Sequence, residues 1–223
     1  MTQRAFIFGS NGPPWNTRLD YAEKDAESLR FCFQNTCKYQ IYRAPEGADA
    51  HDTMREISRV AAQCDAGDDL LIYFSGHGEL LTGKLFLLLD ATSESVFDTA
   101  INTRHILDAL EFSPAANKLL VLDCCHAGGA VGFRGGDLSP VISESGGHLV
   151  LCASRRIEEA REFAELEGSF LAHHTREVLN SEARAYVSVT DLMEELRKRV
   201  NLSMPPQRLL AERTELKWET RGP

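Results

Sequence analysis

At 223 residues, 43% hydrophobic and 26% charged, the chain has the length and balance of one large or two small soluble globular units. A formal charge of −9 argues against nucleic acid as the main partner, since phosphate binding wants a basic face. No apolar run approaches the ~20 residues of a membrane helix, and Met1-Thr2-Gln3-Arg4 leads straight into an apolar segment with no room for a secretory leader. The expectation is a cytoplasmic protein with neither a nucleic-acid nor a membrane partner.

In chain order, Arg4 to Gly9 is a continuous apolar run that stops at glycine, the pattern of a strand covered on both faces. Leu19, Ala22, Ala26, Leu29 and Phe33 recur at steps of three and four and predict an amphipathic helix. Tyr39 to Arg43 is a short β-prone segment. Met54, Ile57, Ala61 and Cys64 mark a second helix, and Leu70 to Phe74 a buried strand. Lys84 to Leu89 reads as a hairpin element, and Thr103 to Glu111 as a helix. Leu119 to Leu122 and His148 to Cys152 are further core strands. Helical spacing runs through Ser169 to Asn180 and through Ser188 to Asn201, and Thr214 to Glu219 is a sixth strand. Strands alternating with helices predict an α/β fold, a mostly parallel six-stranded sheet with helices on both faces. Sites in such folds form at the carboxyl ends of the strands.

Two short words end two of the buried runs. Tyr73-Phe74-Ser75-Gly76-His77-Gly78 supplies an imidazole, and Asp123-Cys124-Cys125-His126-Ala127-Gly128 a thiol, 48 positions later. A base that takes the thiol proton and a sulfur that attacks a carbonyl are the needs of a cysteine hydrolase. Cys125 is the better nucleophile of its pair, one residue further past the strand and followed by a turn-permitting segment. Cys124 points to the opposite face and is expected to be packed. Cys32, Cys37, Cys64 and Cys152 read as reduced, buried thiols. His77, Cys124, Cys125 and His126 have zinc-ligand chemistry, but adjacent cysteines do not converge on one tetrahedral ion. No metal is expected. The glycines near Gly9 and Gly12 lack a phosphate-loop pattern and its lysine.

These words carry a resemblance. The chain resembles caspase-clan cysteine peptidases, closest to the metacaspase and orthocaspase branch of bacteria and other non-animal organisms. The spacing of 48 matches the about 50 residues between histidine and cysteine in caspases, and Ala127 stands where serine is common. Weaker likeness runs through Asp25-Ala26-x-x-Leu29, through Ala153-Ser154 to Glu162, and through Gly168-Ser169-Phe170. The resemblance covers essentially the whole chain. It implies a caspase-like three-layer sandwich in a single peptidase domain over 1–223. Residues 1–127 would form a large-subunit-like half, 128–147 a glycine-rich linker and 148–223 a small-subunit-like half.

The resemblance further implies a His77–Cys125 dyad and an oxyanion hole from the N–H groups of Gly78 and Cys125, donors worth roughly 3 kcal/mol each. Asp25, Asp123 and Ser154 are the substrate-binding residues it points to. Two carboxylates would read arginine or lysine before the scissile bond, because a guanidinium forks onto carboxylates. Asp123 lies two residues before the nucleophile and shares its side of the strand. Asp25 sits among Asp20, Glu23 and Glu27, so a solvated helix face stays open as its alternative. Arg134, within Gly132-Phe133-Arg134-Gly135-Gly136, is a candidate for self-cleavage. No cofactor is expected, and calcium dependence is not, since Gly78 to Asp90 lacks the acidic insertion of calcium-requiring metacaspases. Partners are a protein or peptide substrate and, by the bacterial resemblance, a regulatory or pore-forming protein in defence or cell death. The alternatives are a catalytically silent interaction module of the same fold and a hydrolase of small amides.

Overall fold

The structure, a computed structural model, describes residues 1–125, 148–152, 162–163, 166–181, 186–203 and 217–219. Strand β1 (Gln3–Gly9) leads to helix α1 (Ala22–Asn35), β2 (Gln40–Tyr42), α2 (Ala50–Ala62) and β3 (Asp69–Gly76). A hairpin of β4 (Gly78–Leu81) and β5 (Lys84–Leu87) follows, then α3 (Val96–Thr99), β6 (Ile101–Asn102) and α4 (Thr103–Phe112). The chain continues through β7 (Asn117–Cys124), β8 (His148–Cys152), β9 (Glu162–Phe163) and β10 (Gly168–Ser169). Helix α5 (Phe170–Leu179), β11 (Tyr186–Ser188), α6 (Val189–Ser203) and β12 (Lys217–Glu219) complete it.

The central sheet has five strands in the order β2-β1-β3-β7-β8, and each neighbouring pair is parallel. The continuous apolar runs are its cause: Ala5 to Phe8 and all of β3 are buried, as a sheet covered on both faces requires. Successive side chains divide between two cores. Ala5, Ile7, Leu71, Tyr73, Leu119, Val121, Leu149 and Leu151 face α1, α5 and α6. Phe6, Phe8, Leu70, Ile72, Phe74, Leu120, Leu122 and Val150 face α2 and α4. The result is a three-layer α/β sandwich, in which each fully buried Leu, Ile or Phe contributes about 1.5–3 kcal/mol.

The sixth expected strand does not extend this sheet. Lys217–Glu219 instead pairs antiparallel with Tyr186–Ser188 in a separate ladder, a long-range choice that a short β-prone segment does not encode. Helix α1 starts at Ala22, so Leu19 belongs to the preceding loop, where its N–H is held 2.8 Å from the Asn11 carbonyl. Helix α2 ends at Ala62, which leaves Cys64 just past it. Strand order reverses about β1: the chain lays β2 on one side and β3, β7 and β8 on the other. A crevice at such a switch point opens beyond the carboxyl ends of the strands.

Candidate active site

His77 follows the carboxyl end of β3, which borders that switch point, and Cys125 follows that of β7, one strand further on. Strands β3 and β7 pair in parallel from Asp69↔Asn117 to Gly76↔Cys124, so His77 and Cys125 leave adjacent strand ends one residue beyond the last pair. Neighbouring strands are about 4.8 Å apart, and register alone therefore puts the two residues on adjacent strand ends. Gly78 presses closely on this junction: a Cβ there would overlap the Cys125 carbonyl oxygen and lie 3.0 Å from Cys124 Sγ. Cys125 is half-buried, whereas Cys124 is fully buried in the α2/α4 core. Burial, reinforced by Cys152, Cys125 and Asp123 nearby, pushes the Cys124 thiol well above its ordinary value.

A group that sequence reasoning missed holds the histidine. Nε2 of His77 lies 2.6 Å from the backbone carbonyl of Thr17. A carbonyl only accepts, so Nε2 carries a ring proton, which in the neutral ring leaves Nδ1 as the acceptor. The segment that brings Thr17 is pinned at several points. The Glu23 N–H donates to Asn11 Oδ1 at 3.1 Å, Gly12 N–H to Ser10 Oγ at 3.1 Å, and Trp15 Nε1–H to the Thr92 carbonyl at 2.7 Å. Gly12 packs on the ring itself, at φ +96°, where a Cβ would come 2.5 Å from His77 Cδ2. No residue type signals a backbone carbonyl, so only the folded loop reveals it.

The two acids converge. Asp25, on the inner face of α1, and Asp123, near the end of β7, are 5% and 4% exposed, so Asp25 is not part of a solvated helix face. Ser169 joins them: its N–H donates to Asp25 Oδ2 at 2.9 Å and its hydroxyl donates to Asp123 Oδ2. The Tyr73 hydroxyl donates to the same Asp123 oxygen at 3.0 Å. Burial, with the Asp123 and Asp25 carboxylates close by, drives the Tyr73 phenol well above its usual value and keeps it a proton donor. Gly168 makes room for the arrangement, because a Cβ there would strike Asp25 Oδ1. Lys24 and Glu167 pair at 2.7 Å, tying α1 to the residue just before Gly168.

Ser154, Arg134 and His126 lie outside the described residues, as does the 128–147 linker. A surface groove of about 560 Å³ borders the site at the ends of β1 and β2, lined by Ser10, Arg30, Arg43 and Asp90 among others, but by neither His77 nor Cys125. His173, His174 and Glu177 on α5 are the one group among the described residues with three convergent metal-ligand atoms. Arg199 donates to Glu177 there and already supplies a cation. No helix among the described residues is long and apolar enough to cross a membrane.

The family model of the caspase domain matches residues 2–218. Among solved structures, the chain is similar to a protein from Geobacter sulfurreducens, at a TM-score of 0.69 and 15% identity over 100% of this chain and 96% of that one. It is also similar to caspase-1 from Spodoptera frugiperda, at a TM-score of 0.66 and 16% identity over 92% and 80% of the two chains. At these identities the likeness carries the fold. No curated protein matches the sequence.

Proposed function

The chain belongs to the caspase domain family, and from that premise we propose that it is a cysteine endopeptidase cutting after Arg or Lys with a Cys125–His77 dyad. The observation that carries the reading is the β3–β7 register, which sets His77 and Cys125 on adjacent strand ends with Gly78 against the Cys125 carbonyl. In this mechanism, Nδ1 of His77 takes the thiol proton while Thr17 retains Nε2–H. The thiolate attacks the scissile carbonyl carbon, and its oxygen becomes an oxyanion held by the N–H groups of Gly78 and Cys125. Collapse breaks the C–N bond, with the His77 proton passing to the leaving amine. Water, deprotonated by His77, then cleaves the thioester and restores the thiol.

The converged Asp25 and Asp123 carboxylates form the acidic pocket of this reading. They favour a guanidinium or ammonium and oppose an acidic side chain by like charge. Cleavage profiling of the purified chain on a peptide library tests it, with Cys125→Ala as the blank. Hydrolysis after Arg or Lys is expected, and a profile dominated by Asp would refute the pocket. Asp123→Ala should lose more activity than Asp25→Ala, as Asp123 lies two residues from the nucleophile. Labelling of Cys125 by an electrophilic Arg-peptide separates this peptidase from a silent interaction module. Regulated cutting of a protein partner, such as a pore-forming protein in defence, belongs to the same reading. Trapping that partner with Cys125→Ala tests it.

A further inference from the structure

The paired carboxylates raise a physical problem that the pocket reading leaves unsolved. Asp25 and Asp123 come from different elements, are nearly inaccessible to water, and are bridged by one residue. Two like charges brought together in a low-dielectric site disfavour each other's ionisation. A carboxyl that takes up a proton no longer attracts a cation. Something must hold both groups ionised and fix their separation before substrate arrives.

Tyr73 and Ser169 have the required chemistry. Ser169 has one hydroxyl proton and two lone pairs. Its proton goes to Asp123 Oδ2, while its oxygen accepts the Ala172 N–H at 2.9 Å as the N-cap of α5. The cap leaves the hydroxyl proton pointing away from the helix and toward the acid. Its own N–H serves Asp25. Tyr73 adds a second hydroxyl proton to Asp123 from the buried middle strand. Hydrogen bonds donated to a carboxylate favour its charged form.

We propose that Tyr73 and Ser169 are positioning residues of the specificity pocket: their hydroxyls, both donated to Asp123, keep that acid ionised, and the Ser169 N–H holds Asp25 beside it for the cationic side chain of the substrate. This inference rests on the reading of Asp25 and Asp123 as the acidic pocket. It also gives the small-subunit-like half a defined task, because Ser169 is the residue by which that half completes a pocket whose acids both come from the first half.

The test uses the full-length chain and the variants Tyr73→Phe, Ser169→Ala, Ser169→Thr and Asp123→Ala. KM and kcat on an Arg-peptide amide are measured from pH 5 to 9, alongside alkylation of Cys125 by iodoacetamide, which needs no specificity pocket. Loss of a hydrogen bond to a charged group predicts a KM raised roughly ten- to a hundredfold in Tyr73→Phe and Ser169→Ala. The acid limb of kcat/KM should move to higher pH, because a carboxylate that loses a donor protonates more readily. The kcat and the alkylation rate should stay within about twofold of wild type on the same argument. Ser169→Thr, which keeps the hydroxyl, should restore KM. Tyr73→Phe leaves the α5 cap intact and so separates the pocket effect from any loss of folding in Ser169→Ala. Wild-type KM and acid limb in both hydroxyl deletions, with Arg recognition lost in Asp123→Ala, overturn this inference alone. Unchanged KM in Asp123→Ala overturns the pocket reading beneath it. A parallel fall in alkylation rate in Tyr73→Phe also overturns the inference, since the hydroxyl would then be supporting the whole site.

Discussion

Replacing Gly78 by alanine tests the junction on which the proposed chemistry depends. The Gly78 backbone is not left-handed, so alanine meets no torsional penalty and the effect is purely one of space. The new Cβ would overlap the Cys125 carbonyl oxygen and sit 3.0 Å from Cys124 Sγ and 3.1 Å from Leu85 Cδ1. Of these, the carbonyl is backbone, and the neighbouring Cys124 is paired in register with Gly76, so neither can swing aside like the end of a side chain. Restoring an ordinary carbon–oxygen contact, about 3.5 Å, requires the two strand ends to separate by about 1 Å. A misplacement of that size costs on the order of a hundredfold in rate. Loss of one oxyanion donor costs about 10²–10³. Both effects come from one movement, so they do not multiply, and kcat/KM on an Arg-peptide amide should fall about 10²–10³-fold. Overpacking of this kind destabilises by about 1–3 kcal/mol, which lowers Tm by roughly 2–10 °C for a chain of this size. Gly67→Ala is the control, because nothing lies within 4 Å of its Cβ and its activity and Tm should hold. If Gly78→Ala keeps more than about a tenth of the wild-type kcat/KM, Gly78 is not at the reacting centre and the site is wrongly assembled.

Alkylation should discriminate among the six cysteines of the folded chain. Burial raises Cys32 to about 11 and Cys152 to about 12, and Cys37 and Cys124 are raised as well. Iodoacetamide at pH 7.5 should therefore mark Cys125 first by peptide mapping, and first modification of Cys124 would identify the wrong nucleophile. Cys125→Ala and His77→Ala should each abolish cleavage, with the double variant no worse, since thiolate formation and leaving-group protonation run through one pair. Burial, with the Lys118 charge nearby, lowers the His148 pKa below its usual value. The folded state therefore binds that proton less readily than the unfolded chain, so the His148 contribution is complete above about pH 6.5 and is lost as pH falls below it. His148→Leu should flatten the fall in Tm between pH 7 and 5, and an unchanged slope would remove His148 from the account. Self-cleavage after Arg134 should yield two associated fragments from wild type and none from Cys125→Ala. An intact mass for a fully active preparation would refute it.

Much of the fold was legible because buried parallel strands leave a local trace. The apolar runs at Ala5–Phe8, Leu70–Phe74, Leu119–Leu122 and His148–Cys152 each became a central strand. The helical spacing through Ser169 to Asn180 and Ser188 to Asn201 likewise became α5 and α6. The two words at His77 and Cys125 were legible for a related reason: a strand that breaks at a glycine must present its next side chains at the sheet edge. Three things needed the tertiary structure. Pairing of Lys217–Glu219 with Tyr186–Ser188, rather than with the central sheet, is a contact between distant segments that local β-propensity does not specify. The Thr17 carbonyl on His77 is a backbone group, and every residue has one. Asp25 kept a solvated helix face as its alternative among acidic neighbours; its burial, with Ser169, 144 residues away in sequence, bonded to both it and Asp123, removes that alternative. Composition and periodicity report what each segment buries. Which donors meet which carboxylates is decided only when the two halves of the chain pack together.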